Sequence, residues 1–161
     1  MPKAFVFGDD IDTDVIAPGG YLHLSIDQVK MHSMEAIFPD FPKMVEKGDI
    51  LVAGKNFGSG SSREQAPVVL MELGISLVVA KGFARLFFRN AVNVGLSIGT
   101  IIGSTDIAQG DLVSYDVAGG EIRNVSKGTV TRFSPPQGAL NDILNEGGIV
   151  PYTLKKLGRS K

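Results

Sequence analysis

Ser61, Ser62 and Arg63 follow a loop with glycine at positions 54, 58 and 60. Two hydroxyls and a guanidinium beside glycines suit a carboxylate or phosphate. Glycine admits positive φ and lets a ligand approach the backbone. N–H groups exposed where a loop opens a helix complement an anion, and arginine adds a rigid cationic fork. A plainer reading competes, because Ser61 with Glu64, or Ser62 with Gln65, fits a capping box. A cap needs neither three glycines nor an arginine.

Other candidates are weaker. Asp9, Asp10, Asp12 and Asp14 lack the glycine and glutamate register of a calcium loop. They read as caps on backbone N–H groups, or as carboxylates that orient an arginine or a substrate hydroxyl. Gly58-Ser59-Gly60 lacks the third glycine of a dinucleotide loop, and no Gly-Lys-Ser/Thr closes the segment. His23 and His32 are the only histidines, and no Gly-x-Ser-x-Gly elbow surrounds Ser61. Arg85 and Arg89 lie four apart among phenylalanines, a pattern of snorkelling and surface pairing.

The elements that must position the loop follow from patterning. Ile50 to Ala53 is an apolar strand leading in, and Val68 to Leu73 a helix leading out to Gly74. Pro67 forces either an irregular first turn or a helix beginning near Ala66. Ile75 to Ala80 reads as a second buried strand. Phe83 to Val94 reads as a helix burying Leu86, Phe87, Ala91 and Val94, and Ser97 to Ile102 as a further strand. Beyond Gly110, three short strands parted by glycines look antiparallel. Two short helices end the chain. The expected fold is α/β, one domain over residues 1–161 with a parallel βαβ core and antiparallel C-terminal additions.

Composition narrows the function classes. With 161 residues, 43% hydrophobic and 20% charged, the chain is globular. A net charge of −1 points to neither nucleic acid nor membrane. No cysteine is present, so this chain offers no thiolate for zinc or an iron–sulfur cluster. No apolar run reaches a membrane span and the start lacks a signal peptide's features. A cytoplasmic protein is expected.

The segment Gly54 to Glu64 resembles the signature of the isopropylmalate isomerase small subunits, the swivel-domain partners of the aconitase superfamily. Asp10 to Ile16 with Pro18 and Tyr21-Leu22, then Phe83 to Asn90, then Asn93 to Leu96, fit the same family in order. The resemblance implies that this domain is a single swivelling β/β/α domain, and that the reaction is dehydration and rehydration of a hydroxy acid, interconverting 2- and 3-isopropylmalate in leucine biosynthesis. It implies a large subunit, in a heterodimer or heterotetramer, that carries a [4Fe–4S] cluster acting as a Lewis acid. By matching positions, Ser61 would be the base. Ser62 N–H and Arg63 would hold the substrate carboxylate, and Asp14 would orient groups in the site.

Tyr21, Leu22, His23 and Leu24 would form the substrate-choosing loop. Relatives acting on citrate-like acids place an arginine there, and none occurs here before Arg63. A loop offering Leu22 and Leu24 suits an alkyl group, since an unpaired buried carboxylate is costly. A protonated His23 could still meet an acidic group. Alternatives are a methyl-substituted malate, homoaconitate- or citrate-type acids, or a non-catalytic module that binds small acids or nucleotides. Gln65 stands where the family usually has histidine, and the stretch from Met31 to Val45 departs from its usual pattern.

Overall fold

A computed structural model describes residues 1–158. In chain order the elements are β1 (Ala4–Val6), α1 (Thr13–Ile16), α2 (Ile26–Val29), α3 (Phe41–Met44), β2 (Ile50–Ala53), α4 (Gln65–Leu73) and β3 (Leu77–Ala80). Then come α5 (Arg85–Val94), β4 (Ser97–Ile102), β5 (Val113–Asp116), β6 (Glu121–Asn124), β7 (Thr129–Ser134), α6 (Ala139–Asn145) and α7 (Ile149–Lys156). The seven strands form one sheet in the order β1-β2-β3-β4-β7-β6-β5. The first four run parallel, and β7, β6 and β5 continue antiparallel. This matches the expected parallel core with antiparallel additions.

The sheet curls until its edges meet. Ala4 N–H donates to Asp111 O at 2.9 Å, Val113 N–H donates to Pro2 O at 2.9 Å, and Lys3 bridges Leu112 antiparallel. Alternation along each strand then fills two cores. Ile50, Val52, Leu77, Val79, Ile122 and Phe133 point inside the curled sheet. Leu51, Ala53, Val78, Ala80 and Ile98 face the helices. Burial on both faces explains why β2 and β3 read as unbroken apolar runs. Each such Leu, Ile or Val contributes about 1.5–3 kcal/mol.

The helices start where local chemistry allows. Ser25 and Gln28 form the capping box of α2. Pro42 sits in the first turn of α3, where its missing N–H costs nothing. Pro67 likewise falls in the first turn of α4, so the helix begins at Gln65. The N-cap of α4 is Glu64 with no side-chain cap bond, so neither serine capping box forms. In α5 the buried residues are Phe87, Ala91 and Val92, while Leu86 is 54% exposed, contrary to the simple helical pattern. The atypical stretch before β2 is packing. Phe38 and Phe41 lie against Phe5 and Phe7 of the first strand region, with ring centroids 5.1–6.2 Å apart.

Candidate active site

The loops after β1, β2 and β3 meet at the carboxyl ends of the parallel strands, the usual position for a ligand in such sheets. Single bridges extend the strand order into these loops, joining Asp12 to Ser59 and Phe57 to Phe83. Phe57 anchors the glycine loop. It is fully buried, edge-on to Phe87 at 5.1 Å and to Phe83 at 6.0 Å. Its N–H donates to Gly82 O and its carbonyl accepts from Ala84 N–H.

Two glycines are fixed by close approach. Gly58 has φ +83, and a Cβ there would lie 2.2 Å from Phe87 Cγ. At Gly54 a Cβ would lie 1.9 Å from Asp9 Oδ1, the oxygen that accepts Lys55 N–H at 2.7 Å. Asp9, Asp12 and Asp14 accept backbone N–H groups, as one reading of the sequence expects, while Asp10 accepts the Asn56 side-chain amide. Asp12 Oδ1 accepts Val15 N–H at 2.9 Å and N-caps α1.

Asp14 does more. Its Oδ1 accepts both Gly19 N–H at 2.9 Å and Arg63 Nη1–H at 2.8 Å. Arg63 Nη1 also donates to Ala17 O at 2.9 Å. The Arg63 side chain is 20% exposed against 66% for that of Asp14. Arg63 foremost, then Gly19 N–H, holds the Asp14 carboxyl below its usual range, against a smaller opposing effect of desolvation.

Thr13 pins the loop from below. Its Oγ1 donates to Ser61 O at 2.7 Å and its N–H donates to Ser59 O at 2.8 Å. Ser61 and Ser62 are exposed, and Asn90 Nδ2 donates to Ser62 Oγ at 3.3 Å. The N–H groups of Ser61, Ser62 and Arg63 make no hydrogen bond to a described residue. They stand at the head of α4, where an anion is favoured. A cavity of about 170 Å³ is lined by Thr13, Ser61, Ser62, Arg63, Arg85 and Asn90 among others. A larger one of about 520 Å³, near Ser97, Pro135 and Asn141, has no charged side chain in its lining. The smaller cavity is the chemical one.

Ser61, Ser62, Arg63 and Asp14 are thus brought together. Tyr21 to Leu24 reach the group through Gly19, which opens a tight turn, Gly19–Tyr21, directly after its bond to Asp14. Leu22 and Leu24 are half-buried against the helix-side core, and His23 is exposed. Gln65 opens α4, and its side chain makes no hydrogen bond to a described residue. Thr13 and Asn90 are contributors that spacing alone did not single out. Their signal was membership in the Asp10–Ile16 and Phe83–Asn90 segments.

Known proteins resemble this chain over nearly its whole length. Residues 19–98 match the family described as the aconitase C-terminal domain. The methanogen homoaconitase small subunit of Methanothermobacter thermautotrophicus is 47% identical, over 96% of this chain and 91% of its own. The 3-isopropylmalate dehydratase small subunit 1 of Thermotoga maritima is 48% identical, over 97% and 95%. A crystal structure of 3-isopropylmalate dehydratase from Methanocaldococcus jannaschii superposes with a TM-score of 0.92 at 43% identity, covering 97% of this chain and 93% of that one. The chain belongs to the aconitase C-terminal domain family, in the group of small subunits that includes those of 3-isopropylmalate dehydratase and methanogen homoaconitase.

Proposed function

We propose that this chain is the small subunit of a hydro-lyase that interconverts 2- and 3-isopropylmalate by dehydration and rehydration, a step of leucine biosynthesis. The carrying observation is that Ser61, Ser62 and Arg63 line one cavity while Asp14 fixes the arginine. Most of the similar small subunits bear the isopropylmalate name, which supports this substrate class.

On this reading Ser61 Oγ removes the proton from the carbon beside a substrate carboxylate. A serine hydroxyl is a poor base unless positive charge and N–H donors stabilise the alkoxide. Arg63 and the N–H groups at the head of α4 supply both. Ser62 N–H and Arg63 hold the carboxylate, Asp14 keeps the guanidinium aimed, and Tyr21 to Leu24 meet the rest of the substrate. The whole chain acts as one swivelling domain.

The residues of this chain do not fit a [4Fe–4S] cluster. There is no cysteine, and among the described residues no three His, Asp or Glu side chains group as metal ligands. We place the cluster on a large partner subunit, in a heterodimer or heterotetramer, supported by the relatives' names as small subunits. Arg85 lines the cavity and Leu86 stands exposed beside it, so the partner would close the site over them. Arg63, Arg123 and Arg132 each have an ion pair. Arg85 and Arg89 make none with a described residue, which suits acidic groups on the partner.

A second reading, a homoaconitase-type acid, is favoured by the exposed His23 and by the equally similar methanogen relative. Mixing the chain with its cluster-bearing large subunit, and following the absorbance of the unsaturated acid, tests both. Turnover of 2-isopropylmalate supports the first reading and turnover of homocitrate alone the second. Turnover of neither defeats both.

A further inference from the structure

The substrate-facing loop has a buttress outside the cavity. The Tyr21 ring stacks on the His32 imidazole with centroids 3.6 Å apart and planes 7° from parallel. His32 Nδ1 lies 2.8 Å from Glu35 Oε1. The Tyr21 hydroxyl makes no hydrogen bond to a described residue, and the ring packs both on the helix-side core and on His32. His32 itself stands on a rigid turn. The short Lys30–His32 helix is followed by Met34, fully buried at φ +61, whose N–H donates to Val15 O at 2.9 Å. Val15 belongs to α1, the helix that carries Asp14.

Beyond its packing on the core, Tyr21 is held from two sides. Through Gly19 its turn hangs on Asp14, and through its ring it rests on His32. Leu24 N–H donates back to Tyr21 O at 2.9 Å, closing the loop beyond it. Leu22 and Leu24 pack inward, so His23 is the side chain left to project.

We propose that His32, aligned by Glu35, is a positioning residue for substrate choice, fixing Tyr21 and so the direction in which His23 projects. This rests on the reading of Tyr21 to Leu24 as the loop that meets the substrate. Residues 30–35 lie in a segment that neither the cavity nor the chemistry uses, and this role accounts for their arrangement. An aromatic stack of this kind corresponds to a selectivity change of about two- to tenfold.

Three variants test it: His32→Ala, His32→Phe and Glu35→Gln. In the isolated chain, NMR of the Tyr21 ring reports the stack directly. His32→Ala moves the ring resonances, and His32→Phe, which keeps a planar partner, restores much of the shielding. In the assembled enzyme, His32→Ala changes the ratio of kcat/KM for 2-isopropylmalate over homocitrate by about two- to tenfold, through KM. His32→Phe recovers the ratio, and Glu35→Gln falls between. Unmoved Tyr21 resonances, or an equal loss on both acids, overturns the proposal. If the wild-type assembly turns over neither acid, the functional reading is what fails, and the Tyr21 resonances alone then decide whether His32 sets the loop.

Discussion

Asp14 and Arg63 are separated by 49 positions in the chain, yet their side chains meet at 2.8 Å. One carboxylate oxygen serves both this guanidinium and the Gly19 amide. That oxygen couples the loop after β2, which carries Ser61, to the turn that leads into residues 21–24. A Cβ at Gly19 would stand 3.1 Å from Asp14 Oδ1 and 3.2 Å from Arg63 Nη2, so a side chain there would press on this pair.

The pair sets a pH dependence. The Asp14 carboxyl is depressed in the folded chain, chiefly by Arg63. A depressed carboxyl contributes stability that is full above its unfolded value, about 3.9, and is lost as pH falls through the lower folded value. Carboxyl NMR of Asp14 is expected to give a midpoint below that unfolded value, and Arg63→Ala to raise it. An unshifted Asp14 in the wild-type chain would contradict the pairing.

Gly58 is expected to be intolerant of a side chain. Its positive φ and the 2.2 Å approach to Phe87 act together, so Gly58→Ala should cost about 2–4 kcal/mol. At Gly8 an added Cβ meets nothing within 4 Å, so Gly8→Ala should stay within about 0.5 kcal/mol. Urea melts of the two variants give the comparison, and equal midpoints would argue against the described loop geometry.

Substrate preference should respond at position 23. His23 is exposed while Leu22 packs on the core. His23→Arg is therefore expected to shift the kcat/KM ratio towards citrate- or homocitrate-like acids by about tenfold or more, at little cost in stability. Leu22→Arg should shift it in the same direction and also destabilise, by about 1–3 kcal/mol. If neither variant moves the ratio, the loop does not select.

Local chemistry made much of the fold legible. Ile50–Ala53 and Ser97–Ile102 are read to the residue, because apolar runs are bounded by a turn or a glycine. Gly74 and Gly95 mark helix ends as left-handed caps. The curl of the sheet was hidden, because Lys3 meets Leu112 across most of the chain and no local pattern encodes that. Leu86 was assigned to the core by period alone, but lies 54% exposed beside the cavity. Helix α3 is hard to read from sequence because proline usually breaks a helix, whereas Pro42 sits in the first turn of this one. In the site, the types and order of Ser61, Ser62 and Arg63 were readable. Their partners Thr13 and Ala17, at the two ends of α1, and Asn90, on α5, come from other elements and required the fold.

Ser61, exposed in the cavity, is the proposed base. The direct measurement is turnover by Ser61→Ala assembled with the large subunit, beside a binding measurement showing that assembly is intact. Loss of about 10²–10⁴-fold in kcat with unchanged assembly is the expected result. Full activity in Ser61→Ala would contradict the account.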